Sequence, residues 1–313
     1  MFKKIIKLII KLIPFKKTIL NHYAKNDPCF KTNLKTRALA AIAREVDSHL
    51  LIETNMGIDV NLKCFYPVSE SLIVFGNPKD YRGERGPLEL ASILFQHTDA
   101  FVDIGAHLGY FTFFLQSKNK KNKPIYYFEP VPYLFDIIKK NIDNNRFINI
   151  HGNMMAVGKI TGSVSFFSNK SSPLMGSLSE EFVSGHDTQM ISVKSIRFAD
   201  FVKENNLKNL CVKVDIEGAE LDFVEGAANE LDKSTYLIME VLGEAVKNRF
   251  VKNMIDKFGF RAYYINDYKL VYSKNGDFVY EAPEYNWLFC YKSPQEMHDI
   301  CKGSKIEVLY DGN

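Results

Sequence analysis

The sequence lacks the spacings on which the commonest metal, redox and dinucleotide sites are built. Its five cysteines (Cys29, Cys64, Cys211, Cys290 and Cys301) are odd in number and scattered, with no C-x-x-C pair. That usage fits a reduced, cytoplasmic protein and points away from a disulfide framework or a structural metal. No G-x-G-x-x-G occurs, so a nicotinamide oxidoreductase lacks its phosphate-binding turn. There is no internal repeat and no low-complexity segment. An excess of positive charge is also missing from most of the chain. The formal net charge is +3, but the first 17 residues hold six lysines and no acid. Removing those six charges leaves the remainder at −3, without the basic footprint expected of a nucleic-acid enzyme.

What is present is an ordinary globular composition: 313 residues, 46% hydrophobic and 25% charged. A chain of this length can bury a full core and hold one large domain with an accessory piece. Its opening, M-F-K-K-I-I-K-L-I-I-K-L-I-P-F-K-K, has helical periodicity. At about 100° per residue, Lys3, Lys4, Lys7 and Lys11 share one arc, apolar residues cover the rest, and Pro14 stops the helix. It is too short and too interrupted by lysine to span a bilayer. It also lacks the unbroken apolar run and small-residue cleavage site of a signal peptide. The two readings are a helix lying on an anionic membrane surface and a terminal helix docked on its own domain. We therefore expect a basic amphipathic helix at 1–17, a small α+β cap at 18–98 and an α/β domain at 99–313.

In the cap, residues 31–50 read as a helix. From Ile58 to Cys64 the chain alternates like a half-buried strand after an Asn55-Met56-Gly57 turn, and Leu72–Phe75 reads as a second strand. Pro87 opens a helix through Phe95. The organising stretch follows: F-V-D-I-G-A-H-L-G-Y-F-T at 101–112, a strand into a glycine turn into a helix. Its D-x-G-x-x-x-G pattern places Asp103, Gly105, Ala106, His107 and Gly109 at the carboxyl end of a strand, where an open α/β sheet binds cofactors. A second strand ends at Glu129, at the spacing from which a carboxylate accepts hydrogen bonds from a ribose diol. A third strand, from Ile148 to Val157, has its exit at Asn153, Met154 and Met155, where it would flank an adenine ring. Ser163–Phe167 reads as an added short strand. The polar stretch Ser168 to Gln189, with His186, reads as an acceptor-side lid.

The fourth strand, Leu210 to Glu217, carries an anomaly. Central parallel strands read as apolar runs, yet here Lys213, Asp215 and Glu217 alternate with Val212, Val214 and Ile216. Buried ionisable groups require partners or an open strand end, so either a site or an internal salt-bridge cluster is expected. A fifth strand, Tyr236 to Val241, carries Glu240. Phe260–Ile265 and Trp287–Tyr291 complete the pattern, with Asn275-Gly276 in a hairpin insertion between them.

These motifs, in this order, resemble the FkbM-type methyltransferases: VDIGAHLGYFT at 102–112, FEPVP at 128–132, AVG at 156–158, VKVDIEGAE at 212–220 and EGA at 225–227. NWLF at 286–289 is similar to the family's closing strand. The resemblance implies a class I, Rossmann-like seven-stranded sheet with helices on both faces, and S-adenosylmethionine as cofactor. It also implies O-methylation, often of sugar or polyketide hydroxyls. Asp103, Gly105 and Gly109 would frame the cofactor's amino-acid end, and Glu129 its ribose. His107 departs from the family's usual asparagine. The leading expectation is an O-methyltransferase acting on a hydroxyl of a glycan or glycolipid precursor at the cytoplasmic membrane face. The alternatives are another small-molecule hydroxyl, polyketide-like or lipid, and a silent cofactor-fold subunit. Displacement at a sulfonium gains from alignment, and a hydroxyl acceptor calls for a general base. Candidates for that base are Asp215, which at the strand's end can also face and bind the cofactor, and Glu217, placed on the same face of the strand by its alternation, then His107, then His186. Neither a metal nor nucleic acid is expected, and the oligomeric state is left open.

Overall fold

The structure, a computed structural model, describes residues 51–53, 59–61, 84–169, 176–178, 188–227, 231, 233–241, 244–276 and 286–310. The helices expected at 1–17 and 31–50, the strand at 72–75 and His186 lie outside the described residues. The chain divides into two compact units, residues 1–85 with 136–148, and residues 86–135 with 149–313. In the first, β1 (Leu51–Glu53) pairs antiparallel with β2 (Asp59–Asn61), Ile52 opposite Val60. Among the described residues no helix is long and apolar enough to cross a membrane.

The second unit opens with helix α1 (Arg85–His97), which feeds β3 (Ala100–Ile104), helix α2 (Tyr110–Lys118) and β4 (Ile125–Phe128). Helix α3 (Pro132–Asn145), which belongs to the first unit from Asp136 onward, buries Ile137, Ile138 and Ile142. Then come β5 (Ile150–Asn153), β6 (Ala156–Gly158), β7 (Gly162–Asn169), β8 (Gly176–Ser177) and β9 (Thr188–Arg197). Helix α4 (Phe198–Glu204) leads to β10 (Leu210–Val214), helix α5 (Glu220–Ala227) and β11 (Tyr236–Glu240). Helix α6 (Glu244–Asp256), β12 (Arg261–Asn266), β13 (Lys269–Ser273), β14 (Asn286–Cys290), helix α7 (Pro294–Cys301) and β15 (Glu307–Tyr310) close the chain.

The main sheet has the order β15-β13-β12-β14-β11-β10-β3-β4-β5. From β5 to β11 the strands are parallel, and β14 runs antiparallel between β11 and β12. The seven strands from β5 to β12 correspond to those the sequence leads one to expect, with one exception. The third, expected over Ile148 to Val157, ends at Asn153, and Ala156–Gly158 form a strand of a separate sheet; β13 and β15 extend the edge. β3 and β10 are buried at every position, as central parallel strands are, with Asp103 and Lys213 the ionisable exceptions to their apolar runs. One core face gathers Val102, Ile104, Phe128, Val212, Val214, Phe198, Phe201 and Phe223. Phe128 and Phe201 meet edge-on with ring centroids 4.8 Å apart. A fully buried side chain of this kind contributes roughly 1.5–3 kcal/mol.

β6, β9, β7 and β8 form a second sheet. It meets α5 where a Cβ on Gly226 would lie 2.0 Å from the Gly158 carbonyl oxygen, so the AVG and EGA motifs interlock through a residue that must be glycine. The hairpin between β12 and β13 turns at Asp267-Tyr268, with Asp267 left-handed; Asn275-Gly276 lies beyond β13, beside residues 277–285, which are outside the described residues. A Cβ on Gly86 would collide with the Asp267 carbonyl, so α1 packs its glycine directly on this turn.

Candidate active site

The crevice lies past the carboxyl ends of β3, β4, β10 and β11. At the end of β3 the chain turns through Gly105, His107 and Gly109, all with φ between 53° and 79°. Gly105 has two reasons to be glycine. Its φ is +79°, and a Cβ would sit 1.8 Å from the carbonyl oxygen of Asp215. The Asp215 N–H in turn donates to the Ile104 carbonyl at 3.0 Å. The β3 turn and the exit from β10 are therefore stitched together by backbone.

The turn's N–H groups are mostly committed to the protein. Gly105 and Ala106 donate to the Phe128 carbonyl at 3.1 and 2.9 Å, and Gly109 donates to Ala106 at 2.7 Å. Asp103, 2% exposed, accepts from the Thr112 N–H at 3.0 Å and from its hydroxyl at 2.6 Å. It thus ties the end of β3 to the first turn of α2. Burial raises its pKa to about 6 against the opposing pull of Thr112 and Lys213. Thr112 was not among the expected site residues, although it closes the motif.

Glu129 is 4% exposed and accepts the His107 N–H at 2.8 Å and the Val131 N–H at 2.9 Å, one on each carboxylate oxygen. Burial pushes its pKa up to about 8, with the two backbone donors opposing. Each oxygen retains an acceptor position for a ligand hydroxyl. Around it, Asn153 at the end of β5 receives the Glu129 N–H on its carbonyl at 3.2 Å and the Met155 N–H at 2.9 Å. Met154 stands 47% exposed and Tyr133 39% exposed. Burial, and after it the charge on Glu129, raise the Tyr133 pKa to about 12. Tyr133 was absent from the sequence expectation; its only signal was its place directly after the FEPVP motif.

His107 links this side to the carboxylates of β10. Its backbone serves Glu129, while its ring interacts electrostatically with Asp215. Burial lowers its pKa to about 4, so the ring is neutral at pH 7. Its Nε2 is buried without a hydrogen-bond partner among the described residues. That is a polar atom awaiting a ligand group.

The fourth strand departs from expectation in one respect. It ends at Val214, so Asp215 and Glu217 do not share a strand face. Glu217 is left-handed, φ 53°, a conformation costing about 1–2 kcal/mol for a residue with a Cβ. The bend nevertheless gathers carboxylates. One oxygen each from Asp215, Glu217 and Glu240 lies within 4.8 Å of the others. One member of this group has an internal cation beside it. Lys213, 1% exposed, sits 3.2 Å from Asp215 Oδ2 and 5.1 Å from the centre of the Phe111 ring. It is the register partner of Asp103 on β3. The alternation on β10 is thus both a buried ion pair and the edge of a site.

The two carboxylates beside the bend titrate apart. Burial would raise Asp215, but Lys213 and a hydrogen bond with Glu240 hold it below its ordinary value. Glu217 is raised to about 7 by burial and by the charges of Asp215 and Glu220. Glu220, 1% exposed and accepting the Gly218 N–H at 3.0 Å, is raised to about 7 by burial as well. Groups pushed apart in this way mark acid–base sites.

Similarity to known proteins agrees with this geometry. The model of the methyltransferase FkbM domain matches residues 103–262. Methyltransferase 1 of Beauveria bassiana is 24% identical over 181 residues, 52% of this chain and 72% of that protein. The hexuronic acid methyltransferase AglP of Haloferax volcanii is 27% identical over 168 residues, 52% of this chain and a little under two thirds (64%) of that protein. Among solved structures, the human methyltransferase 10 domain containing protein aligns over 83% of this chain and 97% of its own, at 13% identity and a TM-score of 0.38. With the matched domain spanning every element of the crevice, the chain belongs to the FkbM methyltransferase family and is an S-adenosylmethionine-dependent methyltransferase.

Proposed function

We propose that this crevice methylates a hydroxyl of a uronic-acid-bearing glycan or glycolipid precursor, with Glu217 as the general base. The observation that carries the reading is the pairing of Asp215, held ionised by Lys213, with Glu217, raised to about 7. A base with a pKa near the working pH is best suited to take a proton in the transition state. Asp215 is ionised but too acidic for that task, and His107, lowered to about 4, is also too weak. The cofactor would be held by Glu129 at its ribose, with Met154 and Tyr133 flanking the adenine and His107 Nε2 supplying a polar contact. When bound it supplies an electrophilic methyl group. The chain's own part is to hold the acceptor oxygen in line and to accept its proton on the Glu217 carboxylate.

The sugar class is suggested by the hexuronic acid methyltransferase among the relatives. Two oxygens of such a sugar could accept methyl, a ring hydroxyl or the carboxylate. A carboxylate needs no base, and it would enter beside the ionised Asp215, which repels it. The hydroxyl is favoured on both counts. The test is transfer of labelled methyl to p-nitrophenyl glucuronide and galacturonide, followed by mild alkali. An ether retains the label, whereas an ester releases it as methanol. Label lost to alkali would overturn the hydroxyl reading, and absence of transfer to any uronide would overturn the sugar class. We further propose that residues 1–17 bring the enzyme to the cytoplasmic face of an anionic membrane, a reading supported by their lysine arc. Flotation with anionic but not neutral liposomes, lost on deleting these residues, is expected. Equal flotation without them would remove it.

A further inference from the structure

The bend that carries Glu217 is held from outside the main sheet. The Ser177 hydroxyl donates to the Glu217 backbone carbonyl at 2.6 Å, and Ser177 is fully buried. It stands on β8, a two-residue strand lying in the polar stretch 168–189 that the sequence marks as acceptor-side. Local packing fixes where β8 sits. Ser177 pairs with Phe167 and Gly176 with Ser168 on β7. A Cβ on Gly176 would meet the Phe166 ring at 2.6 Å, so only glycine lets the strand lie this close. Leu178 then reaches the Gly158 backbone, with its Cδ1 3.3 Å from where a Cβ would be. Gly158 is itself pressed against Gly226 of α5, the helix that follows the bend. The second sheet therefore touches the helix after the bend through the glycine pair, and the bend itself through Ser177.

A residue in the left-handed region persists there only when its surroundings over-determine it. Here the hydrogen bond from Ser177 is the side-chain contact made to the strained residue's own carbonyl. We propose that Ser177 is a positioning residue for Glu217: its hydroxyl fixes the left-handed bend and so the place of the carboxylate beside the acceptor. The second sheet then does more than pad the fold, since it couples the acceptor-side segment to the group that takes the proton. The proposal rests on Glu217 as the base, and the experiment separates the two ideas.

Glutamate carboxyl carbons are labelled and titrated by NMR, with the Glu217 signal identified by its loss in Glu217→Gln and distinguished from Glu220 by Glu220→Gln. The groups facing Glu217 are Asp215, Glu240, Glu220 and Lys213, and all stay in place in the Ser177 variants. In Ser177→Ala the bend relaxes toward solvent, and the Glu217 midpoint falls by at least about half a unit. On a uronide acceptor, kcat falls about ten- to hundredfold, the scale expected when a reacting group is misplaced. S-adenosylmethionine affinity stays within about twofold, since Glu129 and His107 are untouched. Ser177→Cys, close in shape and a weak donor, falls between the two. In the Glu217→Gln background, Ser177→Ala adds less than about twofold. The proposal is overturned if Ser177→Ala leaves the midpoint unmoved, or if it lowers turnover as much in Glu217→Gln as in the wild type. A Glu217→Gln enzyme with full turnover overturns the base instead, while the NMR midpoint still reads the Ser177 contact.

Discussion

Replacing Lys213 with methionine keeps most of the side-chain volume and removes the buried cation that stands beside Asp215 and is paired in register with Asp103. Lys213 is 1% exposed, with its ammonium 3.2 Å from Asp215 Oδ2 and 5.1 Å from the Phe111 ring centre. Breaking a buried pair by removing one partner costs about 3–5 kcal/mol, because the other charge is left without compensation. For a chain of 313 residues that is roughly a 5–8 °C drop in Tm. The pH dependence has a definite sign. In the wild type Asp215 is held below its ordinary pKa, so its contribution to stability is present above that ordinary value and is lost as pH falls through the depressed one. Without Lys213, burial raises Asp215, and it raises Asp103 further above its already elevated value of about 6. The variant's native state then retains protons that the unfolded chain releases. Its deficit relative to wild type therefore grows as pH rises from about 4 through neutrality. Urea unfolding at pH 5 and pH 8 measures this. A loss under about 1 kcal/mol at pH 8, or one independent of pH, would refute the assignment of Lys213 as the buried counter-ion.

Gly105→Ala should fail more severely than an ordinary glycine substitution. It meets both a φ of +79° and the Asp215 carbonyl at 1.8 Å, so a loss exceeding about 3 kcal/mol is expected by thermal unfolding, and a loss under 1 would contradict the contact. Thr112→Val removes a 2.6 Å hydrogen bond to Asp103 but not the backbone one. It should cost about 1.5–3 kcal/mol at pH 8 and less at pH 5, where Asp103 gains a proton; equal losses at both would show that Asp103 does not titrate as described. Gly226→Ala should shift the second sheet off α5, since its Cβ meets the Gly158 carbonyl at 2.0 Å. Destabilisation of about 2–4 kcal/mol by urea unfolding is expected, and a neutral result would mean the two elements separate freely.

Much of this was legible because the motifs are local. A glycine turn after an apolar strand announces itself at Gly105 and Gly109, and the spacing to Glu129 follows from the length of one helix and one strand. Asp103 and Glu129 proved to be held by backbone and by Thr112, which a motif cannot express. The alternation Lys213, Asp215, Glu217 signalled a cluster of ionisable groups while misplacing its cause. Periodicity extends a strand until something breaks it, and nothing in D-I-E-G marks Glu217 as left-handed, whereas Gly218 next to it is the residue that usually takes that role. The ranking of the carboxylates also lay beyond the sequence, since burial and distance to Lys213 decide it. Late elements were under-read for a different reason. The Ser293 capping box with Glu296 and Pro294 is a local signal for α7 that was open to reading. β15, by contrast, pairs with β13 across more than thirty residues of chain. Ser177 carries no pattern at all; only the fold brings it to Glu217.

The most direct test is calorimetric titration of the wild-type protein and Glu129→Ala with S-adenosylmethionine, each checked for folding by its Tm. One cofactor per chain is expected in the wild type. Loss of the carboxylate should weaken binding by about 1.5–3 kcal/mol, roughly ten- to hundredfold. No binding to the wild type, or equal binding by a folded Glu129→Ala, would contradict the placement of the cofactor in this crevice.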